Sequence, residues 1–166
     1  IDNLLRLAKA MKENTKAHFV LLGAGDKVAL VLQRIKEWRL TNTTYCPPVS
    51  QDTYSSILAE VDIGMFSLPA NHKAHNFPGK LLGYMQASLP ILGSGNEGND
   101  LVELIDDNKC GCVFVNGDDN SLFDAAYLLC ENKDDRKKFG ANSNLLLREK
   151  FSVCTAAKKV TEKIVC

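Results

Sequence analysis

The stretch Phe77-Pro78-Gly79-Lys80-Leu81-Leu82-Gly83-Tyr84-Met85 runs on through Leu89-Pro90-Ile91-Leu92-Gly93 to Asn96-Glu97-Gly98-Asn99-Asp100-Leu101, and its reading decides the fold. Proline presets the backbone for a first helical turn, where its missing N–H is not needed. The spacing predicts a helix over 78–87, a buried strand over 90–92, and a Gly/Asn turn that opens a helix over 100–106. Lys80 then falls beside a helix start, where free N–H groups and the macrodipole favour an anion. In the second turn, Gly98 lets backbone approach a ligand, and Asn99 or Asp100 caps the helix. Lys80, Gly79, Gly98 and Asn99 are the candidates for holding a diphosphate. Helix–strand–turn–helix units of this kind also occur in α/β proteins that bind no phosphate, so the pattern alone does not fix the function.

Outward from this stretch, the remaining chain repeats the same alternation. Apolar spacing predicts helices over 3–13 and 27–38, the second with Val28, Leu32 and Ile35 inward. Strands are expected over 18–22, 43–46, 61–66 and 112–115. Ser50-Gln51-Asp52 opens a helix ending near 59, and helices over 121–130, 134–150 and 152–164 follow. The order implies an α/β fold, a Rossmann-like open parallel sheet with helices on both faces. Ligands of such sheets bind at strand C-termini. The loop over 70–76, with His72 and His75, lies at such an end. Gly23-Ala24-Gly25 is part of a dinucleotide fingerprint without its third glycine. An ordinary strand–helix turn explains it as simply, and Gly23 and Gly25 are carried as residues in the ligand's vicinity.

At 166 residues, with 45% apolar and 24% charged residues, the chain has the make-up of one globular domain. Its zero formal net charge gives a nucleic-acid partner no electrostatic support. No apolar run reaches the ~20 residues of a membrane span. The six cysteines include Cys110-Gly-Cys112, a C-x-C without the second pair a zinc site requires, so reduced thiols and a cytoplasmic location are expected. No metal or cofactor is expected. Helix-forming residues begin at once with Ile1-Asp2-Asn3-Leu4-Leu5. An α/β unit ordinarily starts with the strand from which such a helix returns, so a longer parent chain is expected.

The segments Val61-Asp62-Ile63, 77–85 and Leu89-Pro90-Ile91-Leu92 resemble the C-terminal, donor-binding half of GT-B glycosyltransferases of family four. Gly111, Asp118-Asp119 and Arg136…Gly140…Phe151-Ser152 extend the likeness over nearly the whole chain. The closest subset is the L-fucosamine transferase type of bacterial O-antigen and capsule synthesis. The resemblance implies a retaining, metal-independent transferase with two Rossmann-like domains, of which 1–166 would be the nucleotide-sugar-binding one. The N-terminal acceptor domain and the first strand of this domain would then precede Ile1. The donor would be a UDP-linked nucleotide-sugar by analogy, and the acceptor a lipid-linked saccharide bound by the missing domain. The full-length protein would then be cytoplasmic, at most peripheral to the inner face of the membrane. Lys80 inherits the diphosphate role, while Asn96, Gly98, Asn99 and Asp100 match the loop near donor sugar and phosphates. Many members carry two glutamates flanking this segment; here those positions are His75 and Gly83, so ribose recognition by a carboxylate at Gly83 is lost. Two other readings stay open: a sugar-nucleotide epimerase of the same fold, and a non-catalytic α/β domain.

Overall fold

A computed structural model describes residues 1–68 and 77–152. Helices and strands alternate: α1 (Asp2–Ala10), β1 (Phe19–Leu22), α2 (Val28–Glu37), β2 (Thr43–Cys46), α3 (Gln51–Glu60), β3 (Gly64–Ser67), α4 (Lys80–Gln86), β4 (Ile91–Gly95), α5 (Asp100–Asp107), β5 (Gly111–Val115), α6 (Asp119–Glu131) and α7 (Lys133–Lys150). All pairings are parallel, but the strands form two ladders, β1-β2 and β3-β4-β5. Phe19 lies opposite Thr43, Gly64 opposite Ile91, and Ile91 opposite Gly111.

Side chains alternate across the three-strand ladder as the period of two requires. Met65, Leu92, Cys112 and Phe114 join a core with α1, α2 and α6, which also takes Phe19 and Leu21 of β1. Phe66, Ile91 and Val113 point the other way, into a core with α4, α5 and α7. Helices thus cover both faces. The second core is closely fitted. A side chain at Gly93 would collide with the Phe66 ring, and one at Gly140 with the Ser88 carbonyl, which is how α7 lies so near the turn after α4.

Local chemistry sets the helix starts. Ser50, Asn99, Asp118 and Asn132 each accept a hydrogen bond from a first-turn N–H, as polar N-caps do. Two expectations are corrected. The third strand begins at Gly64, not Val61, because Gly64 N–H is the group that reaches the Pro90 carbonyl, at 2.9 Å. In α2 Val31 is buried and Ile35 packs against the same core as expected, whereas Leu32 is 47% exposed and is not an inward residue. The loop over 70–76 and all but the first residue of the helix expected over 152–164 lie outside the described residues.

Candidate functional site

The C-terminal ends of the strands gather most of the residues singled out from the sequence. β1 ends in a turn whose Gly23 and Gly25 have φ of +142° and +143°, a region that side chains strongly disfavour. No atom lies within 4 Å of where a Cβ would stand at either, so the outer surface of the turn is open. Tyr45 Oη donates to the Gly23 carbonyl at 2.9 Å and fixes the turn from β2. α2 then follows Lys27 with no side-chain cap, and its first N–H, that of Val28, turns back to the Gly25 carbonyl at 3.3 Å.

Lys80 is the first residue of α4 and follows Gly79, whose surroundings are also open. Protein packed around the ammonium pushes the Lys80 pKa down even though the side chain reaches solvent. No carboxylate pairs with it among the described residues. Such a lysine gains most from an anion that restores the lost solvation.

β4 is the neighbour of β3 and leads into the second candidate turn. Gly98 has φ +74°, with open space about its Cα. Asn99 is buried, and its side chain accepts from the Leu101 N–H at 2.9 Å. Its side-chain oxygen therefore holds the start of α5, and the exposed residues here are Glu97, Gly98 and Asp100. Asp100 and Glu103 place acidic groups in the first turn of α5, complementing the dipole from within the chain.

Asn116 is the residue that sequence reasoning missed. Its Nδ2 donates to Asn96 Oδ1 at 2.6 Å and to the Leu68 carbonyl at 3.0 Å, while its backbone N–H reaches the Gly95 carbonyl at 2.8 Å. One side chain at the end of β5 thereby ties the ends of β3 and β4 together. The signal was an Asn-Gly pair directly after an apolar strand. His75 lies outside the described residues. Gly83 faces α3, where a Cβ would make ordinary contacts with Leu58 and with the Tyr54 hydroxyl, 3.6 Å away. Groups of three or more metal-ligating side chains are absent among the described residues, and none of the described helices is long and apolar enough to cross a membrane. A separate concavity of about 390 Å³ lies between the end of α1 and α6, lined by Met11, Asn14, Phe123 and Tyr127. It contains none of these candidate residues and is crossed by the Lys16–Glu131 ion pair.

Several solved structures share the fold. TarM of S. aureus, in one crystal form a mutant bound to fondaparinux, alpha-GlcNAc-glycerol and UDP, superposes with a TM-score of 0.79 at 18% identity. That match covers 97% of this chain and 32% of TarM. WaaG, a glycosyltransferase involved in lipopolysaccharide biosynthesis, gives 0.73 at 16% identity, over 98% of this chain and 42% of WaaG. The C-terminal domain of LpcC from Francisella tularensis, a glycosyl transferase group 1 family protein, gives 0.73 at 16% identity, over 91% of this chain and 78% of that domain. The chain thus spans about a third of TarM's length. A comparison with curated proteins gives no match. The sequence profile described as "Glycosyl transferases group 1" matches residues 1–132, and the chain belongs to that family.

Proposed function

We propose that residues 1–166 form the donor-binding half of a retaining glycosyltransferase that uses a nucleoside-diphosphate sugar. The observation that supports this reading is Lys80, the first residue of α4, desolvated and without a carboxylate partner among the described residues. As the sugar departs, charge grows on the diphosphate. Lys80 and the backbone at Gly79 and Gly98 would offset it, with Asn99 holding the turn in place. Gly23 and Gly25 on one side, and Asn96, Asp100 and His75 on the other, would surround the nucleoside and sugar. The parent chain would use a UDP-linked donor and build bacterial surface polysaccharide, O-antigen or capsule, with L-fucosamine as the sugar suggested by the sequence resemblance. A further N-terminal domain would take the lipid-linked acceptor, so residues 1–166 alone would transfer no sugar.

Calorimetric titration of the full-length protein with UDP and UDP-sugars tests the reading. Lys80→Ala is expected to weaken binding about 10- to 150-fold, the loss of one charge-assisted contact. Lys80→Arg should retain part of the affinity. Absence of nucleotide binding by the intact protein would instead favour the non-catalytic domain, and product analysis showing an altered but untransferred sugar would favour the epimerase.

A further inference from the structure

Lys80 is the first of only seven residues in α4, so the direction it faces depends on how this short helix is seated. Leu81 and Met85 are buried in the second core. The far end of α4 is tied to α7, where Asn144 Nδ2 donates to the carbonyls of Met85 and Gln86 at 3.2 and 3.3 Å. The leading end has no side-chain cap.

Tyr84 makes a polar tie between α4 and the sheet. Its Oη donates to the Met65 carbonyl of β3 at 3.0 Å. Its Cβ and the root of its ring lie directly on Gly64, where any side chain would collide with them. Gly64 has no positive φ to call for glycine, so the room it leaves for Tyr84 is its evident use. Ring and hydroxyl together fix how close α4 lies to β3 and how it is rotated. Burial, with a smaller contribution from Tyr54 on α3, pushes the Tyr84 pKa up to about 12. Burial pushes Lys80 down from 10.5, so the tyrosine keeps its proton over the range in which the lysine titrates.

Helix geometry links the tie to the lysine. Residues four apart lie one above the other, and helical side chains lean toward the N-terminus. Tyr84 therefore leans over the turn that Lys80 opens, beside the buried stripe of Leu81 and Met85. A rotation of α4 that carried Tyr84 away from Met65 would turn Lys80 through the same angle.

We propose that Tyr84 is a positioning residue for Lys80: held by the Met65 carbonyl and the bare backbone of Gly64, it sets the rotation of α4 and so aims the lysine at the donor diphosphate. The inference rests on the donor-binding reading and adds to it a residue that acts through Lys80.

Calorimetry with UDP on the full-length protein tests this by a double-mutant cycle. Tyr84→Phe removes the hydroxyl, keeps the ring, and should weaken UDP binding about 2- to 12-fold, the worth of one hydrogen bond. In the Lys80→Ala background the same change should have no further effect. Asn144→Ala loosens the other end of α4 and serves as the control; it should lower the Tm and leave the affinity unchanged. The proposal is overturned if Tyr84→Phe leaves the affinity intact, if it weakens UDP equally with and without Lys80, or if Asn144→Ala weakens it as much. An NMR titration of the lysine side chains separates this from the donor reading. Tyr84→Phe should move the Lys80 pKa back toward 10.5 as the ammonium leaves its packed surroundings, whether or not UDP binds. An unmoved Lys80 titration would sink the positioning role, whereas a wild-type protein that binds no UDP would sink only the donor reading.

Discussion

The β3-β4-β5 ladder and the β1-β2 ladder carry the same kind of strand but differ in how they are covered. All five residues of β4 are buried, with a helix layer on each face. In β1, Phe19 is buried while Val20 is exposed, and β2 repeats the pattern with Thr43 and Thr44. Burial here follows from what covers each strand rather than from its own apolar content: β4 reads Ile-Leu-Gly-Ser-Gly and is wholly buried, while β1 reads Phe-Val-Leu-Leu and is not. The difference shows how the labour is divided. The three-strand half supplies rigidity, and the two-strand half supplies the open glycine turn. The sharpest test sets one substitution in each half side by side. Phe66→Ala, at a fully buried ring, should cost about 3–5 kcal/mol. Val20→Ala should cost about 1 kcal/mol or less, because Val20 is already 42% exposed. Urea denaturation of both variants measures this, and equal losses would mean that the two halves share one core more evenly than their burial indicates.

The next effect concerns the C-terminal ends of the strands. Asn116→Ala removes both side-chain hydrogen bonds that tie β3 and β4 to β5. It leaves the Leu68 carbonyl and the Asn96 side chain to find other partners, at about 1–3 kcal/mol. Thermal denaturation gives the stability loss. Faster exchange near Leu68 and Asn96, with β1 and β2 unchanged, would locate it in the three-strand half. A loss spread evenly over both halves would deny Asn116 its tying role.

Much of this division was legible in the sequence. Helix starts at Ser50 and Asn99 could be read because a polar cap followed by an apolar rhythm has a local cause. The strand over 43–46 was bounded by Pro47-Pro48, which cannot continue a ladder. Non-local causes were harder to see. The start of β3 depends on which amide meets Pro90, and the inward face of α2 depends on how it lies over β1. The separation into two ladders depends on pairing partners that no single segment reveals. At the site, Gly98 stood out because glycine permits the positive φ of a tight turn, and Lys80 because a cation at a helix start opposes the macrodipole unless an anion accompanies it. Asn116 was passed over as a turn residue, since its role exists only once three strand ends are brought together.

A pH titration sharpens the contrast at Lys80. Its pKa is lowered in the folded protein from the ordinary 10.5 because burial disfavours the charged form. The ammonium therefore opposes folding while protonated, and that cost is relieved as pH rises through the folded pKa. Ligand binding has the opposite sign, since an anion needs the ammonium and raises its pKa. Diphosphate affinity should fall on the alkaline side, starting below the range of a free lysine, and Lys80→Arg should move the fall to higher pH. Calorimetry across pH measures both. An affinity independent of pH up to the ordinary lysine range would mean that Lys80 does not meet the anion.

The smallest effect joins the two halves. Arg6 of α1 meets Asp119 at the start of α6 through two hydrogen bonds, Nε–Oδ2 at 2.6 Å and Nη2–Oδ1 at 3.0 Å. Asp119 hydrogen bonding raises the Arg6 pKa, but arginine is charged at any working pH, so the shift itself has no physiological consequence. Both side chains are exposed, 48% and 40%, and water screens most of the attraction. A double-mutant cycle with Arg6→Ala and Asp119→Ala should give a coupling of about 0.2–1 kcal/mol, and the two-pronged geometry argues for the upper part of that range. Added salt should weaken it, since the pair lies open to the solution. A coupling that survives high salt unchanged would show that α1 and α6 hold this pair away from solvent, and that the two halves are bound more firmly here than their surfaces suggest.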